Sequence, residues 1–192
     1  KERVEGEPEM WRAANAVISG FLVVTGGLVL VAVLGISVAL YVGTYSIETR
    51  LMLELLRFMF PYMLLACLAA VLMGMLNSRG YFFIPALGAT MLNVVMIAAV
   101  LFLAPQMGST LPVQIFGLAI GLIVAGIAQV AFQMPPLHKE GFRYRWVSPW
   151  RNETVQHTVR RMIPGMMGVA AFQINVLVTY GIAFAVDVQA VA

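Results

Sequence analysis

Residues able to do chemistry are few in this chain, and their spacing excludes most reactions. Cys67 is the single cysteine and sits among Leu and Ala, so it makes no intrachain disulfide and reads as a small packing residue. His138 and His157 stand 19 apart in a basic segment without a Cys or carboxylate cluster, so no metal site is expected. There is no phosphate-cradling glycine loop and no nucleophile–base pair, so no catalytic residue or cofactor is expected and the chain does not read as an enzyme. What remains is polar groups embedded in apolar runs. Asn175 and Thr179 lie four apart, and Asn77-Ser78-Arg79-Gly80 interrupts two uncharged stretches. Such groups suit a wall that hydrogen-bonds a polar solute, and a turn at a membrane surface.

The elements that hold them follow from composition. Hydrophobic residues make up 61% and charged residues 11%, against roughly 25% charged in an ordinary soluble domain. A core of this size cannot hide so much apolar surface, so the excess must face lipid. Residues 13–47, 58–78 and 162–186 carry no charge, and 80–138 carries only His138. About 20 apolar residues cross the hydrocarbon core, so the long run must hold two helices, with Pro105 to Pro112 as the break. Five spanning helices are expected at 14–43, 52–76, 85–104, 112–133 and 160–186, with a loop over 134–159: an all-α, polytopic membrane bundle. The first residue is not Met, the last follows a span directly, and no signal peptide is recognisable. The chain therefore reads as a piece of a larger protein.

Ten of the twelve Lys and Arg fall on one side of such a bundle, at the N-terminal end, at Arg79 and across Lys139–Arg161. The positive-inside rule places that side in the cytoplasm. The net charge of +3 is explained by topology and implies no nucleic acid partner. Asn152-Glu153-Thr154 has the form of a glycosylation acceptor, but on the cytoplasmic side the match is coincidental. In the same loop Ser148 is expected to cap a short interfacial helix with Pro149 in its first turn. Trp146 and Trp150 then lie at headgroup level.

No acid or base sits near a span midplane, so these helices hold no proton relay of the kind that intramembrane carboxylates form. Glu54 and Arg57 read as a local pair anchoring the start of the second helix. Ala66, Ala70, Gly74 and Ser78, and separately Gly117, Gly121 and Ala125, form small-residue stripes that let helices approach closely. Pro61, and Pro164 followed by Gly165, are candidate bends. Pro164, Gly168, Ala171, Asn175 and Thr179 share one helical stripe, with Gln173 nearly opposite.

Arg57-x-Met59-x-Pro61-Tyr62, then Asn77-Ser78-Arg79-Gly80-x-Phe82-Phe83-x-Pro85-Ala86, then Leu92-Asn93-Val94-Val95-Met96-Ile97 resembles the MurJ/MviN lipid II flippases. Arg161-Met162-Ile163-Pro164-Gly165 and Gln173-Ile174-Asn175 resemble the same family's seventh helix. The turn with its Phe-Phe-x-Pro-Ala is the specific motif, and the likeness runs along nearly the whole chain. It implies the third to seventh helices of a two-lobe exporter fold in the bacterial cytoplasmic membrane, N-terminal end inside. That exporter moves lipid II, the peptidoglycan precursor on undecaprenyl diphosphate, by alternating access for cell-wall synthesis. Asn175 and Thr179 would line its path, and Pro61, Asn77, Arg79, Gly80, Pro85, Pro164 and Gly165 would form its turns and hinges. The implied partners are lipid II, membrane lipid and the remainder of the same transporter. The family's cavity arginines lie on helices that this chain does not match, and Thr179 stands where relatives often carry an acid, so neither an arginine site nor a cation site is carried over. A related polysaccharide-lipid or drug exporter, or a membrane scaffold that transports nothing, shares the same helical pattern.

Overall fold

The computed structural model describes residues 7–148 and 153–190; Pro149, Trp150, Arg151 and Asn152, and with them the expected first turn of the interfacial helix after Ser148 and the Asn of the Asn-Glu-Thr triplet, lie outside the described residues. Among the described residues seven α-helices follow in order: α1 (Glu7–Val42), α2 (Ile47–Met59), α3 (Tyr62–Ser78), α4 (Phe83–Ala98), α5 (Ala104–Met107), α6 (Leu111–Lys139) and α7 (Glu153–Ala190), with a π turn at Ala99–Leu103 between α4 and α5. No strand occurs among the described residues. Among the described residues five stretches are long and apolar enough to cross a membrane: Glu9–Val42, Ile47–Ser78, Phe83–Met107, Leu111–Lys139 and Arg160–Ile182. The chain is all-α and multi-pass. It divides into two units, residues 1–149 and 150–192, and the second holds α7.

In the first unit α6 is the central helix, packed along α4 and α3, while α1 packs on α3. Asn15, Ile18, Ser19, Thr25 and Val29 form the buried stripe of α1 at helical spacing. Outward-facing Leu34, Val38, Val94, Leu101 and Phe102 stay exposed, as surfaces solvated by lipid do.

The first helix starts at Glu7 rather than 14 and the last runs Glu153–Ala190 rather than 160–186, so the loop expected over 134–159 is shorter; three further differences have a visible cause. The span expected as one helix over 52–76 is two, because Pro61 cannot donate in the helical ladder. The chain turns there through short-range bonds from Met63 N to Phe60 O (3.0 Å) and Leu64 N to Pro61 O (3.1 Å). Ser46 caps α2, accepting from Thr49 N at 3.3 Å. Glu54 pairs with Arg50 (3.2 Å), not with Arg57, which occupies the last turn of α2 and complements its dipole. The third span runs past 104 through the π turn to Met107. The fourth does not stop at 133: α6 continues through Pro135 and Pro136 to Lys139, and Glu140 N still reaches Pro136 O at 3.1 Å.

The π turn and α6 fit by register. Ala104 N–H donates to Ala99 O, an i→i+5 bond that brings these two residues onto one face. Opposite them stand Gly117 and Gly121. A Cβ at Gly117 would lie 3.1 Å from Ala104 Cα, and one at Gly121 would fall on the Ala99 methyl. The expected stripe on α6 is thus a close-packed seam. The stripe on α3 is not: Ala70, Gly74 and Ser78 are exposed, nothing lies within 4 Å of a Cβ at Gly74, and α3 buries Ala69, Leu72 and Leu76 instead. Gln133, 1% exposed, gives Nε2 to Gln129 O (3.2 Å) and leaves Oε1 without a partner. Gly88 makes room for this amide, since a Cβ there would stand 3.4 Å from Nε2.

Candidate functional site

At one end of the first unit, α3 and α6 stop in the same way. Each helix ends on a charged residue, a left-handed glycine and an aromatic: Arg79-Gly80-Tyr81 and Glu140-Gly141-Phe142. Gly80 has φ 85° and Gly141 φ 88°, values that side chains with a Cβ resist. Tyr81 N donates to Leu76 O and Phe142 N to Leu137 O, both at 3.0 Å, while Gly80 N and Gly141 N reach Asn77 O and His138 O at 3.1 Å. This double-bonded ending satisfies the last carbonyls of each helix and turns the aromatic inward. Phe142 joins Ile18, Leu72, Leu76 and Leu137 in the buried cluster, with Tyr81 against it.

The two ends are then tied together. Arg79 Nε lies 3.7 Å from Glu140 Oε2, and Tyr81 Oη donates to Glu140 Oε1 at 2.8 Å. The Arg79 guanidinium sits 4.9 Å above the Trp11 ring of α1, a cation–π arrangement, and Trp11 packs on Phe142 with ring centres 5.5 Å apart. The hydrogen bond to Glu140 and that carboxylate's charge, with some burial, push the Tyr81 phenol above its ordinary value, and Arg79 partly offsets them.

Beyond Phe142 the chain leaves helix and runs beside α1. Asn15 clips it from both sides of Tyr144, donating Nδ2 to Arg143 O (3.1 Å) and accepting at Oδ1 from Arg145 N (3.2 Å). Ser19 Oγ contacts Tyr144 Oη at 3.3 Å and accepts from Val147 N at 3.4 Å. Asn15 and Ser19 are buried polar groups with their partners supplied. The sequence reading passed over both, although two small polar residues four apart near the start of an apolar helix are a visible signal.

The expected site residues are distributed as follows. Asn77, Arg79 and Gly80 lie in this clasp. Pro85 is buried in the first turn of α4, where its missing N–H costs no helical bond. Pro61 stands at the α2–α3 joint. Pro164 and Gly165 lie within α7, as do Asn175 and Thr179. Thr179 Oγ1 donates to Asn175 O at 2.8 Å, so that hydroxyl proton is held by its own helix. Asn175 and Gln173 are both exposed. No cluster of three metal-binding side chains occurs among the described residues.

Comparison with known proteins bears on this arrangement. A family model described as lipid II flippase MurJ matches residues 7–192. The chain belongs to that family. It is 37% identical over 123 residues to a probable lipid II flippase MurJ of Haemophilus influenzae, covering 64% of this chain and 23% of that protein. A probable lipid II flippase MurJ of Treponema pallidum is 31% identical over 172 residues, 88% of this chain and 32% of its own length. The lipid II flippase MurJ of Burkholderia cenocepacia is 31% identical over 131 residues, 66% of this chain and 25% of its own. The chain thus spans between about a quarter and a third of these relatives' length. No solved structure matches it. The family is one of transporters, not of catalysts.

Proposed function

We propose that this chain is part of a flippase that carries lipid II across the bacterial cytoplasmic membrane by alternating access. The observation that carries the reading is the family match from residue 7 to 192, over five spans whose apolar middles hold no charge. A diphosphate bearing sugars and a peptide cannot cross hydrocarbon unaided. It needs a hydrated cavity between two lobes that open in turn, with the prenyl chain left in lipid. These spans are wall and frame in that scheme. Asn175 and Thr179 face the path on α7, and cationic compensation of the diphosphate comes from residues outside these spans. The Arg79 turn and the segment from Lys139 to Arg161 lie in the cytoplasm, with the N-terminal end.

The test is replacement. The complete protein carrying this chain, expressed in cells depleted of their own lipid II flippase, should restore growth and outer-leaflet lipid II, measured by its accessibility to an externally added lipid II-degrading enzyme. Growth without restored lipid II flux would refute the reading. Export of a different lipid-linked saccharide, measured in the same cells, would favour the related exporters.

A further inference from the structure

The geometry points to an anionic-phospholipid docking strip at the end of the first unit, formed by Arg143 and Arg145 and held in place by the Asn15 clip. The span Glu9–Val42 has 34 residues, about 51 Å of helix, against a hydrocarbon core of about 30 Å. Part of α1 must therefore stand outside the core or tilt strongly. Its polar end, with Arg12, Asn15 and Ser19, is the part suited to headgroup depth. The segment 142–147 is bonded to that part of α1, and so lies at headgroup depth with it.

What it presents there is basic and aromatic. Lys139, Arg143, Tyr144, Arg145 and Trp146 are exposed, Trp146 by 62%. Glu140, the nearest acid in sequence, is turned to Arg79 and Tyr81, and no ion pair to Arg143 or Arg145 occurs among the described residues. Because Asn15 holds the backbone of both arginines, that backbone needs no further ordering when a ligand binds, which lowers the cost of binding. Arginine forks match phosphate oxygens in pairs. An exposed Trp beside them belongs at the same depth. The occupant with that chemistry, present at high density where the strip lies, is the phosphodiester of an anionic glycerophospholipid.

The experiment uses the complete protein in detergent, titrated with phosphatidylglycerol or phosphatidylcholine and read by native mass spectrometry. Phosphatidylglycerol should be retained preferentially. Arg143→Gln with Arg145→Gln should weaken its retention roughly thirtyfold, about fivefold per arginine, while Arg143→Lys with Arg145→Lys keeps most of it. Asn15→Ala should weaken it less, by loosening the strip without removing charge. Equal retention of the two lipids, or unchanged phosphatidylglycerol retention in the Gln variant, overturns the assignment. Loss of lipid II binding in the Gln variant with phosphatidylglycerol retention intact also overturns it, by giving the strip to the transported substrate. If the double Gln variant does not fold, each single Gln variant should weaken retention about fivefold, and unchanged retention in both overturns the assignment.

Discussion

Gly121→Ala tests whether the π turn and α6 are in van der Waals contact. The added methyl would meet the Ala99 methyl, with Met96 Sδ at 3.8 Å and Ala99 Cα at 3.9 Å behind it. Ala99 has no flexible side chain to swing aside, so relief requires moving the π turn away from α6. Overpacking of this kind costs about 1–3 kcal/mol. Against it stands the helix preference of Ala over Gly, about 0.8–1.0 kcal/mol. Gly74→Ala supplies that second effect alone, since its Cβ would meet nothing within 4 Å. The two variants should therefore differ by about 1–3 kcal/mol, with Gly74→Ala equal to or above the parent. Thermal unfolding of the complete protein in one detergent, at one scan rate, ranks them as a kinetic stability. Adding Ala99→Gly should raise the melting point of Gly121→Ala while lowering that of the parent, a change of sign that only direct contact produces. A Gly121→Ala protein that melts at or above Gly74→Ala, or one that Ala99→Gly lowers further, would refute the packing argument.

Asn15→Ala removes an amide that satisfies Arg143 O and Arg145 N and should cost about 1–3 kcal/mol, read as a lower melting point with faster proteolysis near residue 145. The Tyr81 phenol is raised in the folded state chiefly by its hydrogen bond to Glu140. Its contribution is therefore intact below the ordinary tyrosine value and is lost as pH climbs through the raised one; tyrosinate absorbance should show a late-titrating component that Glu140→Gln shifts down. With Cys67 replaced, Lys139→Cys should resist a membrane-impermeant maleimide in intact spheroplasts and react after lysis; labelling in intact spheroplasts would reverse the proposed sidedness. In the complete protein Asn175→Cys should react with a small water-soluble thiol reagent and Gln173→Cys should not, and the opposite pattern would move the path to the other face of α7.

Charge-free runs reveal the spans because burying a charge in hydrocarbon is costly, so Arg79 and Lys139 mark span ends closely, while Arg57 falls inside the second span, which begins at Ile47. Local chemistry also exposes the turn at Gly80. Registers between helices leave no such trace. The π turn at Ala99–Leu103 has an ordinary apolar composition, and only the i→i+5 bond of Ala104 distinguishes it. The small residues of α3 and α6 look alike in sequence, yet Gly121 touches Ala99 and Gly74 touches nothing nearby, a difference set by which neighbour each face meets. Pro135-Pro136 reads as a helix stop because two donors are lost. Burial of Pro136 and Leu137 carries α6 past it. The repeated charged–Gly–aromatic endings were visible; that Arg79 and Glu140 would meet was not, because it requires knowing that α3 and α6 end side by side.

The clasp and the seam divide the first unit by solvent. Arg79, Tyr81, Glu140, Asn15 and Ser19 make their bonds at an end where water and headgroups lower the cost of an imperfect pair. Along α6 from Gly117 to Ala125 cohesion is dispersion between small residues, which is lost steeply with separation. A lobe that rocks against another must keep its own helices in register. The clasp supplies this register by joining the ends of α3 and α6 to the start of α1, and the π turn supplies it at depth by matching residues five apart on one side to residues four apart on the other. Gln133 is the exception, a buried amide oxygen without a partner between α4 and α6. A side-chain rotation that finds a donor would satisfy it. Gln133 sits between the seam and the clasp on α6, next to Met134, which packs against the buried Leu137–Phe142 cluster, and faces Gly88 of α4.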